Sequence, residues 1–273
     1  MAAEFSLGVG IGGFGAIGMA VGRTLDAGDI PGMYLAAVSA NDQSGAAARM
    51  ADYVKQAPVM ELSALADHSD VVIECAPAAV FRDVAEAAVE KGRILMPLSC
   101  GQMLNHMDLI DRAKETGARI VVPTGALLGL DAVRGAAEGE IESVTMVTRK
   151  PPGGLEGAPH LAENNIDVSD LSEALLVFDG SAREAVKGFP ANVNVAVALS
   201  LAGIGPDRTT IQVWADPGVT RNTHTIKVEA DSVRFEMTIE NVPSRENPRT
   251  GALTPLSTIA ALRSLVQPLK VGT

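Results

Sequence analysis

The chain has 273 residues, 47% of them hydrophobic, and a formal net charge of −11. That length suffices for one large or two medium domains, while the acidic balance and 3% aromatic content argue against nucleic acid, which would meet repulsion and few stacking surfaces. Apolar stretches stay short of the roughly 18 residues of a membrane span, and MAAEF lacks the basic and apolar regions of a signal peptide, so a cytoplasmic protein that engages neither membrane nor nucleic acid is expected.

Residues 6–12 (SLGVGIG) read as a buried strand. Gly13-Phe14-Gly15-Ala16-Ile17-Gly18 then fits the Gly-x-Gly-x-x-Gly fingerprint of dinucleotide binding, opening a helix that carries Val21 and Leu25 on one face. Gly13 serves the tight turn, Gly15 lets the backbone approach a pyrophosphate, and Gly18 lets helix and strand pack closely. A register beginning at Gly10 matches as well, but the later one leaves a full strand before the turn.

Tyr34–Ala40 reads as a second strand, followed by Asn41 and Asp42. An acid roughly 20 positions beyond the glycines commonly accepts hydrogen bonds from the adenosine ribose. Asp42 suits that task for NAD, whereas Asn41 and Ser39 would not repel the 2′-phosphate of NADP, so either cofactor remains open. Asp70–Ala76 is an apolar strand ending at Pro77, and the helix after it carries Val80, Val84 and Ala88. Arg93–Ser99, a helix around Leu109–Glu115, and Ala118–Pro123 repeat the unit. Alternating strands and helices imply a parallel sheet covered on both faces, whose ligands bind beyond the carboxyl ends of the strands. Ala76 and Pro77 lie at one such end.

Beyond residue 123 the pattern changes. Ile141–Thr148 reads as a strand broken by Lys150-Pro151-Pro152, residues 155–168 read as irregular, and Pro190–Gly203 reads as a helix. Three strands follow at Thr209–Ala215, Asn222–Glu229 and Ser232–Asn241, with Val233, Phe235, Met237 and Ile239 alternating against polar residues in the last. One face of that strand is expected to be buried. The expected fold is therefore α/β: a Rossmann-type parallel-sheet domain at 1–123, a second α+β domain with a mostly antiparallel sheet at 124–252, and a C-terminal helix within 253–273 packing back on the first. The second domain is expected to bind substrate and to pair with another copy, in a homodimer or higher homo-oligomer.

Several residues could carry chemistry. His224 shares the apolar side of its strand near a strand start, where an imidazole either serves the core or transfers protons. Asn192 and Asn194 stand at the helix opening, as caps or as amides for a nicotinamide or a substrate. Arg249, Thr250 and Lys150 offer a basic site for substrate carboxylates. Cys75 and Cys100 read as reduced, buried thiols, and the histidine and cysteine spacings indicate no metal.

In order and wording these residues resemble the L-aspartate dehydrogenase family: GFGAIG at 13–18, PTGALLGLDA at 123–132, RKPP at 149–152, FDGSAREAVKGFPANVNVA at 178–196, ADP with RNTHTIKV at 215–228 and ENPRTG at 246–251. The resemblance implies NAD(P)-dependent oxidation of L-aspartate to iminoaspartate, which hydrolyses to oxaloacetate and ammonia. It also implies that Ala126 and Asn192 contact the cofactor and that His224 is catalytic. Thr124, Leu128 and the Ser99–Met103 stretch depart from the family wording and bear on substrate preference. The alternatives are a reductase or amine dehydrogenase for another small carbonyl or imine, and a non-catalytic nucleotide-binding regulator.

Overall fold

A computed structural model of the chain describes residues 6–190, 193–244 and 251–272. The chain divides into two compact units, Met1–Pro123 with Thr254–Lys270, and Thr124–Leu253 with Val271–Thr273.

The first unit holds a parallel sheet of five strands: β1 (Leu7–Gly12), β2 (Met33–Ser39), β3 (Val71–Glu74), β4 (Ile94–Pro97) and β5 (Arg119–Ile120), in the order β2-β1-β3-β4-β5. Strands covered on both faces are largely apolar, and in β3 Val71, Val72 and Ile73 are almost wholly enclosed. The connections carry α1 (Ala16–Asp26), α2 (Gln43–Arg49), α3 (Phe81–Glu90) and α4 (Asp108–Thr116). In α3 the apolar residues Phe81, Val84, Ala85, Ala88 and Val89 recur at helical spacing and form its buried face. Helix α4 ends at Gly117, whose φ of 76° is the left-handed conformation that closes a helix without a Cβ penalty. Winding runs from β1 to β2 on one side and restarts at β3 on the other. The β1/β3 boundary is therefore the switch point, the place beyond whose carboxyl ends sheets of this kind bind their ligands.

The second unit holds α5 (Leu130–Ala136), α6 (Pro159–Glu163), α7 (Ala182–Gly188), α8 (Asn194–Ala202) and strands β6 (Ile141–Lys150), β7 (Leu175–Ser181), β8 (Thr209–Ala215), β9 (Thr223–Ala230) and β10 (Arg234–Glu240). The sheet order is β10-β9-β6-β8-β7, with only the β6–β8 pair parallel. Along β6 the buried residues Val144, Met146, Thr148 and Lys150 alternate with half-exposed Thr145, Val147 and Arg149. Period-two burial means one covered face, here the side on which α7 and α8 lie. The last helix, α9 (Leu253–Val266), adds Leu262 to the core of the first unit, and Arg263 Nη1 donates to the Asp29 carbonyl at 2.7 Å.

The structure corrects several local expectations. The stretch 155–168 contains a helix, α6, started by Pro159, which tolerates the first helical turn because no backbone donor is needed there. The strand expected at Ala118–Pro123 keeps only two paired residues, and β6 runs two residues further than expected, to Lys150. Helix α8 begins at Asn194, so that side chain is in the first turn and not at the cap, which is Val193. Val233 remains 42% exposed and Phe235 and Met237 are half-buried, because β10 is an edge strand whose apolar face is only partly covered. Cys75 is half-buried, unlike Cys100. No helix among the described residues is long and apolar enough to cross a membrane.

Candidate active site

The glycine fingerprint lies at the switch point. Gly13 directly follows β1 with φ of 104°, and a Cβ there would overlap the Cys75 backbone at the end of β3. A Cβ on Gly18 would strike the Gly13 carbonyl, so helix and loop meet at backbone distance. Gly15 differs: its Cβ would meet nothing within 4 Å, which leaves open space directly above the loop. Gly15 caps α1 without a side-chain bond, so the first N–H groups of that helix keep no intrahelical acceptor and lie at the positive dipole end, where an anion is favoured. Ala16 and Ile17 are half-buried in this first turn. These three glycines fit a dinucleotide pyrophosphate. Phe14 points inward as a core side chain, leaving only its backbone for a ligand.

Around this loop the switch point is braced by a residue the sequence reading passed over. Glu74 ends β3 fully buried, and its carboxylate accepts from Ala76 N at 3.1 Å, Ser99 N at 2.9 Å and Ser99 Oγ at 3.0 Å. Burial holds its proton affinity above the usual carboxylate range, and the bonds from Ser99 and Ala76 partly offset that. It ties the loops after β3 and β4 together, and Cys75 Sγ donates to the Gly13 carbonyl at 2.9 Å to tie in the glycine turn. The available signal was a carboxylate inside an otherwise apolar strand, a position that demands partners. Burial pushes the Cys75 thiol strongly upward and Cys100 up to about 12, so both are poor nucleophiles.

Pro77 and Asn41 are exposed at the ends of β3 and β2. Asp42 caps α2, accepting from Gly45 N at 2.9 Å and Ser44 Oγ at 3.0 Å, and the Gly45 bond leads the effects that lower its pKa.

A polar cluster lies in the second unit. Strand pairing sets Thr148 of β6 directly opposite His224 of β9, and Thr148 Oγ1 lies 3.0 Å from His224 Nδ1. Lys150 follows on the same face; all three residues are at most 5% exposed. Thr148 and Lys150 line a narrow pocket, otherwise walled by Met146, Ile211 and Val213 of the sheet and by Ala185, Phe189, Val193 and Ala196 of the helical layer. Desolvation brings Lys150 down to about 8. Desolvation, aided by the Lys150 charge, brings His224 down to about 4, so at neutral pH the imidazole is uncharged. Asn194 is exposed at the start of α8, and Ala126 is half-buried in the turn before α5. Asn192, Arg249 and Thr250 lie outside the described residues.

A glycine-lined anion site at the switch point of a parallel sheet, followed in the chain by a mixed sheet with a buried imidazole and ammonium, is the pattern of a nucleotide-dependent dehydrogenase. Comparison with known proteins narrows the class. Residues 13–123 match the family model described as homoserine dehydrogenase, NAD binding domain, and residues 131–265 match aspartate dehydrogenase, C-terminal. The chain is 52% identical to L-aspartate dehydrogenase 3 of Bordetella bronchiseptica over all of both chains. It is also 52% identical to L-aspartate dehydrogenase of Bradyrhizobium diazoefficiens, covering 99% of this chain and 96% of that one. The crystal structure of aspartate dehydrogenase from Thermotoga maritima shares the fold, with a TM-score of 0.75 at 23% identity, covering 97% of this chain and 99% of that one. The chain belongs to the aspartate dehydrogenase family.

Proposed function

We propose that this chain is an NAD(P)-dependent L-aspartate dehydrogenase, oxidising L-aspartate at Cα to iminoaspartate, which water converts to oxaloacetate and ammonia. The observation that carries the chemistry is the buried Thr148–His224–Lys150 cluster beside an otherwise apolar pocket. When bound, the nicotinamide supplies the acceptor for the hydride leaving Cα. Gly13 to Gly18 would hold the pyrophosphate and Asn41 and Asp42 the ribose end, with Ala76, Pro77, Ala126 and Asn192 as further cofactor contacts.

The Lys150 ammonium attracts a substrate carboxylate, and its seclusion from water strengthens that contact. Asn194, Arg249 and Thr250 complete the substrate set in this reading. His224 accepts a proton from the substrate amine or from the hydrolytic water. For Nε2 to be the accepting atom, Nδ1 must carry the hydrogen and donate it to Thr148 Oγ1. A carboxylate seated on Lys150 would offset the cation that depresses the imidazole, so substrate itself would raise the proton affinity of His224.

Absorbance of the reduced cofactor, followed with aspartate, other amino acids, and oxaloacetate plus ammonia, with NAD and with NADP, tests this. Aspartate is expected to be the preferred amino acid, with reversal by oxaloacetate and ammonia. Preference for another substrate, or cofactor binding without turnover, refutes it. The protein is further proposed to be cytoplasmic and a homodimer or higher homo-oligomer. Half-buried Thr145, Val147, Trp214 and Thr225 on the outer face of the second sheet would meet another copy. Light scattering should return a multiple of the chain mass; a monomer at assay concentrations would contradict it.

A further inference from the structure

We propose that the ribose end of the dinucleotide cradle accepts a 2′-phosphate and that Arg49 reads it, so that the chain uses NADP at least as well as NAD. This rests on the dinucleotide-dependent reading above. Where a dinucleotide fold selects NAD, an acid beyond the second strand binds the ribose hydroxyls and repels a phosphate in their place. Here β2 ends at Ser39 and continues into Ala40 and Asn41, neither of them acidic. The first acid, Asp42, accepts from both Gly45 and Ser44 of α2 on a single oxygen, Oδ1, which leaves Oδ2 for a ribose hydroxyl.

Opposite it stands a cation. Arg49, in the last turn of α2, folds back so that Nη1 donates to the Phe14 carbonyl at 3.3 Å, and its charge acts on Asp42. Phe14 lies between the first two glycines of the fingerprint, so the guanidinium sits against the phosphate loop, near enough to Asp42 for its charge to act there. A guanidinium has five N–H donors in a planar fork, and one bond to a carbonyl leaves donors for phosphate oxygens. The side chain is exposed and therefore reachable. Nearby acids limit the preference: Asp42 is one, and Glu61, which accepts from Gln43 Nε2 at 2.7 Å, is another. The balance is an enzyme that takes both cofactors, with Arg49 carrying the added affinity for the phosphorylated one.

The test is fluorescence titration of the full chain with NADPH and NADH, for the native sequence, Arg49→Ala and Arg49→Lys, with 2′,5′-ADP and 5′-AMP as competitors. The native chain should bind NADPH at least as tightly as NADH, and 2′,5′-ADP should outcompete 5′-AMP. Arg49→Ala should weaken NADPH by about tenfold or more while changing NADH by less than about twofold, with Arg49→Lys between, because a charge-assisted contact is lost with one cofactor only. Equal effects on both cofactors, no effect on either, or rejection of NADPH by the native chain would overturn the assignment to Arg49. Failure of the native chain to bind either cofactor would instead strike the dinucleotide reading itself.

Discussion

Replacing His224 by alanine should lower kcat by about 10²- to 10⁴-fold, the usual loss for one general acid–base group, and leave dinucleotide affinity unchanged. The residue lies in the second unit, while the glycine fingerprint and its bracing by Glu74 and Cys75 lie in the first. A proton carrier should therefore be separable from the phosphate site. Its environment is suited to the role: a neutral imidazole at working pH, oriented by Thr148, beside a cation whose field substrate would offset. Steady-state kinetics paired with cofactor titration decide the matter. Full activity in His224→Ala, with the cofactor still bound, would remove His224 from the mechanism. Thr148→Val should show a smaller loss of the same kind, since it changes orientation and leaves the imidazole in place.

Replacing Lys150 by methionine should raise KM for aspartate by about 10- to 100-fold, since hydrogen bonds to charged groups contribute about 1.5–3 kcal/mol. Methionine keeps much of the volume and removes a buried charge, so folding should be tolerated. The native enzyme carries the same information in its pH dependence. Lys150, brought down to about 8, is cationic below that pH and neutral above it. KM for aspartate should therefore climb as pH passes through about 8, while kcat rises because more of the substrate amine is neutral. Stability moves the other way. Between about 8 and the unfolded lysine value near 10.4 the unfolded chain holds more protons, so this residue's contribution to stability grows with pH. A rising KM in that window is thus distinguishable from unfolding by this group. A KM in Lys150→Met within about twofold of native at pH 7 would take the carboxylate-binding role away from it.

What the sequence determined by itself was whatever a local period or a local turn encodes. Gly13 to Gly18 announce a strand, a tight turn and a helix because each glycine meets a steric demand within a few residues of itself. The apolar runs at Val71–Ile73 and Leu95–Met96 announce buried parallel strands because both of their faces are covered. Motifs in the second half pointed to the family and to His224. Elements of weaker period were missed: β7 begins with two exposed leucines at a sheet edge, and α2, α5 and α7 are seven residues each, too short to show two full turns of a pattern.

Only the tertiary structure decided which side chains act together. Thr148 and His224 meet across 76 residues through the register of β6 on β9. Glu74 finds Ser99 because β3 and β4 are neighbours, and Arg49 reaches Phe14 because α2 returns toward the loop after β1. Strand register and loop return are fixed by burial summed over a whole sheet, and no single stretch of sequence carries that sum. The same enclosure sets the charge states. Lysine and histidine in sequence are an ordinary cation and an ordinary base; buried on one face of the second sheet, they become a titrating ammonium and a neutral imidazole.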